Sequence, residues 1–118
     1  MSPRILHALS QRPSRTGSGV TLEALARHAE GWTQTAVIGV PGSDPHPEVG
    51  GLAPDEVHPL VFESDALPFP VPGMSDIMPY RSTRWSDMTP AQLDAYRAAW
   101  RDHLSRVVER FQPDVIHT

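Results

Sequence analysis

Apolar and polar positions follow three regimes along the 118-residue chain, regular at both ends and irregular between them. Ile5-Leu6-His7-Ala8-Leu9 is a short apolar run closed by Ser10, with the length and composition of a fully buried parallel strand. A loop from Gln11 to Gly19 follows, carrying Gly17 and Gly19. From about Val20 to Glu30, Leu22, Leu25, Ala26 and Ala29 fall at i, i+3, i+4 and i+7, which predicts an amphipathic helix. Gly31 suits the position that stops it. Burial of the two leucines is expected to contribute about 3–6 kcal/mol before entropy is subtracted. Thr35-Ala36-Val37-Ile38-Gly39-Val40, closed by Pro41-Gly42, predicts a second strand. Strand, loop, helix and strand in that order predict a right-handed βαβ unit.

The stretch Ser43 to Glu56 holds three Pro, two Gly and four acids and reads as a solvated loop. Val57-His58-Pro59-Leu60-Val61-Phe62 predicts a third strand, confined to a sheet edge because Pro59 has no N–H to donate. Its direction is left open. Ser64 to Met88 has no usable period. Pro68, Pro70, Pro72 and Pro79 favour extended geometry, yet Phe69, Met74, Ile77, Met78, Tyr80 and Trp85 are too apolar for a linker. An irregular segment this long usually serves as a lid or binding element.

Order returns at Thr89-Pro90-Ala91-Gln92, where a capping threonine, a first-turn proline and a capping-box glutamine mark a helix start. Leu93, Tyr96, Trp100, Leu104, Val107, Val108 and Phe111 form one apolar stripe, read as core. The helix should run about 33 Å before Gln112-Pro113 stops it. Pro113-Asp114-Val115-Ile116-His117-Thr118 then reads as a buried strand that has just reached its functional end. In open α/β sheets ligands bind beyond the carboxyl ends of the strands, so a chain stopping there is expected to be the first part of something larger. The fold class expected is α/β, a Rossmann-like, mostly parallel sheet flanked by helices, with residues 1–118 forming one domain.

Composition narrows the function. The net charge of −4 argues against a nucleic-acid surface, which needs clustered cations. All ten basic residues are Arg, which reflects a GC-rich genome more than a function. The absence of Cys excludes disulfides and thiolate metal sites. No run approaches the roughly 20 apolar residues that span a bilayer, and the N-terminus lacks a signal peptide's apolar stretch. The expected location is cytoplasmic, with peripheral contact to a membrane-borne acceptor left open. The 13 prolines crowd between Pro41 and Pro90, in the irregular middle.

Candidate chemistry gathers where strands end. Thr16-Gly17-Ser18-Gly19-Val20 joins the first strand to the first helix. Glycines let backbone approach a ligand, and free N–H groups at a helix start attract phosphate; a turn that merely enters the helix is the alternative. A dinucleotide fingerprint is disfavoured, because Leu22 replaces the third glycine and Gly39-Val40 offers no acid for ribose. His117, at the tip of the last strand, is suited to bond a hydroxyl or move a proton, with a purely structural histidine the equal alternative, whereas mid-strand His7 reads better as a satisfied core histidine. No His/Asp/Glu set has metal-ligand spacing, Asp44-Pro45-His46 reads as solvated loop, and no Ser sits in a G-x-S-x-G elbow. Met74, Met78, Tyr80 and Trp85 are candidates for an apolar platform, with Arg81 and Arg84 placed to hold an anionic or hydroxylated group. Packing over the sheet edge is the favoured alternative for most of them.

Together, the first strand with Gly17-Ser18-Gly19-Val20, the strand ending Val37-Ile38-Gly39-Val40, and Phe111-Gln112-Pro113-Asp114-Val115-Ile116-His117 resemble the N-terminal domain of GT-B-fold, family-4-type (group 1) retaining glycosyltransferases. The resemblance covers the whole chain but about the first third of a usual member. It implies a sugar-nucleotide-dependent enzyme that is inactive as this fragment, with an acceptor-side domain facing a missing C-terminal donor domain across a cleft. Backbone N–H groups of Gly17, Ser18 and Gly19 would approach the donor diphosphate, and His117 would lead into the sugar site. Met78, Tyr80, Arg81 and Arg84 are the acceptor candidates. The partners implied are a nucleotide-diphosphate sugar and a small-molecule or glycan acceptor, with no bound metal or other cofactor. Family members commonly show His-x-His where this chain ends after one histidine. A stand-alone α/β module that binds a phosphorylated ligand or a partner protein is the alternative from another class, and a dehydrogenase-type fold a weaker third.

Overall fold

A computed structural model describes residues 2–73 and 75–118. The elements are β1 (Arg4–Leu9), α1 (Gly17–His28), β2 (Thr33–Pro41), β3 (Val57–Phe62), α2 (Pro90–Phe111) and β4 (Val115–His117), with short 3-10 turns at Pro54–Glu56 and Trp85–Asp87. The four described strands form one all-parallel sheet in the order β3-β2-β1-β4. The fold is therefore α/β with helices on both faces, as the patterning predicts.

Alternation along β2 explains the two layers. Ala36, Ile38 and Val40 pack with Leu22 of α1 and Val49. The intervening Val37 packs with Leu6 and with Val107 of α2 on the opposite face. Beside β3, Phe62 joins Leu67, Phe69, Val71 and Met88 in a cluster that meets Leu93, Tyr96 and Trp100 of α2. β3 lies at an edge, as Pro59 requires, and its direction is parallel to β2.

Several expectations change. α1 starts at Gly17 rather than about Val20, so the glycines occupy its first turn. It ends at His28, and Gly31, with φ of 79°, turns the chain two residues beyond the cap at Ala29. Leu25 is 43 % exposed, so only Leu22 delivers its burial, about 1.5–3 kcal/mol. The stretch Ser43 to Glu56 is not simply solvated. Val49 is fully buried in the α1-side core, and Gly50 (φ 55°) sits where a Cβ would lie 2.9 Å from Glu23 O and 3.0 Å from the Ala26 Cβ. This loop covers the face that a crossover helix would otherwise cover. The α2 stripe is less enclosed than a core helix: Val107 is its one buried residue.

β4 is not a buried strand. Val115 and Ile116 are 44 % and 53 % exposed, because β4 forms the other sheet edge. The motif before it has a mechanical explanation. Gln112 adopts a left-handed conformation (φ 53°) that ends α2. The Arg4 N–H then donates to Asp114 Oδ2 at 2.8 Å, and the Asp114 N–H donates to Arg4 O at 2.8 Å. Arg4 Nε also donates to Phe111 O at 2.7 Å, and its guanidinium lies 4.2 Å from the Phe111 ring centre. These contacts set the register that pairs Ile5, Leu6 and His7 with Val115, Ile116 and His117.

The irregular segment 64–88 is folded onto the protein. Ser64 N donates to Leu67 O, Glu63 N to Phe69 O, Thr83 N to Val71 O and Gly73 N to Thr83 O. Leu67 is 2 % exposed. Leu67→Ala should therefore destabilise the chain by about 2–5 kcal/mol, read from the midpoint of urea unfolding; an unchanged midpoint would mean that the segment does not pack.

Candidate functional site

The strand order reverses next to β1. The chain steps from β1 to β2 to β3 on one side, then crosses to place β4 on the other. That is the arrangement in which α/β sheets leave a crevice beyond the carboxyl ends of the diverging strands. β1 leads into the turn before α1, while β4 carries His117 alongside His7. The strand that leads to the glycine turn and the strand that carries the final histidine are thus neighbours. His117 stands two residues short of Leu9 in that register, so it lies down the strand from the rim.

The turn is built by Thr16, the N-cap of α1. Its hydroxyl donates to Gln11 Oε1 at 3.1 Å and accepts from the Gly19 N–H at 3.2 Å, and the Ser18 hydroxyl lies 3.1 Å away. The three residues of the predicted phosphate turn therefore differ. Among the described residues the N–H groups of Gly17 and Ser18 make no hydrogen bond, whereas that of Gly19 is taken by the cap. A Cβ on Gly19 would lie 2.7 Å from Ser14 N and 2.9 Å from Arg12 O; on Gly17 it would meet nothing within 4 Å. Gly19 is required for the loop to pack on the helix, and Gly17 faces open space. Gln11 is 1 % exposed, and its amide nitrogen has no partner among the described residues.

On the α2 side of this rim a crevice of about 350 Å³ is lined by Ala8, Leu9, Ser10, Tyr96, Arg97, Trp100, Leu104 and Thr118. Burial pushes the Tyr96 phenol up, with the Ser10 and Trp100 side chains opposing that rise. Trp100 Nε1 is buried with no hydrogen-bond partner among the described residues. Hydroxyl, phenol, indole N–H and guanidinium in one apolar-walled crevice suit a ligand rich in hydroxyl groups. Tyr96 and Trp100 belong to a stripe that reads as core, and both do pack on the Phe62 cluster while also bordering this crevice; Ser10 and Arg97 are the polar residues that flank the stripe where β1 ends.

On the α1 face, His117 Nδ1 lies 3.2 Å from His7 Nδ1, and His7 Nε2 lies 2.9 Å from Gln34 Oε1. Gln34 Nε2 donates to Ala26 O at 2.9 Å. His7 is 1 % exposed, a satisfied core histidine as expected, and it also touches the candidate residue. Burial holds its pKa below the ordinary value; the Gln34 hydrogen bond opposes this and His117 adds to it.

The acceptor candidates do not converge. Tyr80 lies over Arg12 of the β1–α1 loop, 5.4 Å from ring centre to guanidinium, while Arg12 Nη2 pairs with Asp44 Oδ2 at 3.0 Å. Burial raises the Tyr80 phenol against the opposing effect of Arg12. Arg81 pairs with Glu63 at 3.4 Å, and Arg84 is exposed before the second 3-10 turn. Met78 takes a hydrogen bond from Ser75 at its sulfur (3.5 Å), and Trp85 stacks edge-on with Tyr96 at 5.1 Å. Met74 of the predicted platform lies outside the described residues. A separate cavity of about 390 Å³, bordered by Arg4, His58, His103, Arg106 and Arg110 with Asp55 and Glu56, sits at the amino ends of the strands, away from this rim. The described residues contain no group of three or more His, Asp or Glu placed to hold a metal, and no helix long and apolar enough to cross a membrane. Comparisons with protein-family models, with curated proteins and with solved structures find no match.

Two measurements check this geometry. Gly19→Ala should cost about 1–3 kcal/mol by overpacking, while Gly17→Ala should change stability by less than about 1 kcal/mol, both by chemical denaturation. His7 and His58 both sit below the ordinary 6.5, each mainly through burial. Below that pH the unfolded chain takes up protons that the folded chain refuses. Stability is then full above about 6.5 and declines as the pH falls toward the folded values, by at most about 1.4 kcal/mol per unit per histidine. Urea midpoints should drop between about pH 7.5 and 5.5, with a shallower slope in His7→Gln.

Proposed function

We propose that the chain is the acceptor-side domain of a sugar-nucleotide-dependent, retaining glycosyltransferase. The observation that carries the reading is the strand-order reversal at β1, which makes the strand leading into the glycine turn the neighbour of the strand that carries His117. The sequence resemblance supplies the chemistry, and three local features support it.

Gly17 and Ser18 offer two unengaged N–H groups at the start of a 12-residue helix, where the helix dipole favours a diphosphate by about 0.3–1 kcal/mol. His117 is oriented by a hydrogen bond and would address the sugar. The crevice of Ser10, Tyr96, Arg97 and Trp100 would take the acceptor in place of the scattered Met78, Tyr80, Arg81 and Arg84. Two N–H groups are weak stabilisation for a departing diphosphate, whose developing charge needs several preorganised donors or cations. A facing donor domain would provide them.

Titration with a panel of UDP-, GDP- and ADP-sugars, followed by amide NMR, tests the reading. Gly17, Ser18 and the His117 ring should shift together, with His58 and His103 unaffected, and this chain alone should transfer no sugar. Shifts confined to the amino-end cavity, or turnover by the 118 residues alone, would overturn the assignment. A response to inorganic pyrophosphate with none to any nucleotide sugar would favour a phosphate-binding module.

A further inference from the structure

We infer that Gln34 and His7 are positioning residues that lock the tautomer of His117, so that His117 presents a bare Nε2, an acceptor fit for a ligand hydroxyl rather than for an anion or a carbonyl. The inference starts from the one member of the chain that has no freedom. Ala26 O is a backbone carbonyl and only accepts; Gln34, 9 % exposed, must turn its NH₂ toward it, at 2.9 Å. Ala29 O, 3.5 Å from the same nitrogen, reinforces that choice. A flipped amide would set two acceptors against each other in the protein interior, at Ala26.

Gln34 Oε1 therefore faces His7 Nε2, at 2.9 Å, and that nitrogen must carry the proton. His7 is buried and among the described residues no carboxylate bonds it, so the neutral ring is the stable one and its Nδ1 is bare. A bare Nδ1 at 3.2 Å from His117 Nδ1 requires the hydrogen to sit on His117. The rings cross at 87°, so the contact is made at the nitrogens and not by stacking. Neutral His117 is thus the Nδ1–H tautomer, and among the described residues its Nε2 makes no hydrogen bond.

The lock itself needs no ligand. Only the identity of the hydroxyl, as that of a sugar, rests on the proposed function. The two ideas therefore fail separately.

Long-range proton–nitrogen NMR of the chain with labelled histidine, above pH 7.5 and without ligand, reads the tautomers directly. His7 should give the Nε2–H pattern and His117 the Nδ1–H pattern, the reverse of an unconstrained histidine side chain. His7→Leu should move the two His117 ring nitrogens in opposite directions, toward the Nε2–H form, and Gln34→Leu should loosen both rings. Should either variant fold poorly, the wild-type spectrum alone decides. An Nε2–H pattern at His117, or a His117 spectrum indifferent to His7→Leu in a folded variant, would overturn the inference.

Discussion

Arg4 joins three elements at the end of the sheet opposite the candidate site. Its backbone exchanges hydrogen bonds with Asp114, and its guanidinium caps the last turn of α2 at Phe111. Charge-assisted bonds of this kind contribute about 1.5–3 kcal/mol each when sheltered, and less at a surface. Their larger effect is on register. Side chains alternate with a period of two along a strand, so a slip of one residue would carry His117 to the α2 face and away from His7. The strand-order reversal, the crevice beside Thr118 and the histidine contact all inherit their geometry from this joint.

The α1 face of the sheet is mostly aliphatic, yet it contains His7 and Gln34. Burying such groups is costly unless each finds a partner. Here each does, in a line that runs from the α1 backbone across two strands to β4. The line adds no hydrophobic stabilisation. What it adds is a single permitted arrangement of hydrogens, in a part of the fold where aliphatic packing alone would leave the histidine rings free to turn. Elsewhere Gln11 Nε2, Tyr80 Oη and Trp100 Nε1 are buried with no hydrogen-bond partner among the described residues.

Much of the fold was legible. The 3.6 period of Leu22 and Ala26, the Thr89–Gln92 box and the edge position of Pro59 are local rules that tertiary packing did not override. Both capping-box hydrogen bonds form, at 2.9 and 3.1 Å. What escaped was whatever depends on neighbours. Leu25 fits the helical stripe, yet it stays well exposed among the described residues. Val115 and Ile116 read as core although their strand is an edge. Val49 hides in a proline- and acid-rich loop that packs beside Leu22 of α1, where a second crossover helix would otherwise lie. At the candidate site, Gly17 and Gly19 look alike in sequence and differ only in what stands over them. Gln34 gave no signal, since a glutamine before an apolar run announces nothing about the histidine it will meet.

The two rims of the sheet bear on how such a chain keeps from sticking to its own kind. An unpaired strand is an invitation to fibrillar growth, and proteins blunt it by brevity, proline or charge. β4 presents Val115 and Ile116, both exposed, along one edge. β3, at the other edge, contains Pro59, whose nitrogen has no hydrogen to lend to a new neighbour. Replacing Pro59 with valine would suit strand propensity and remove the safeguard, turning a tidy border into a seed for aggregation.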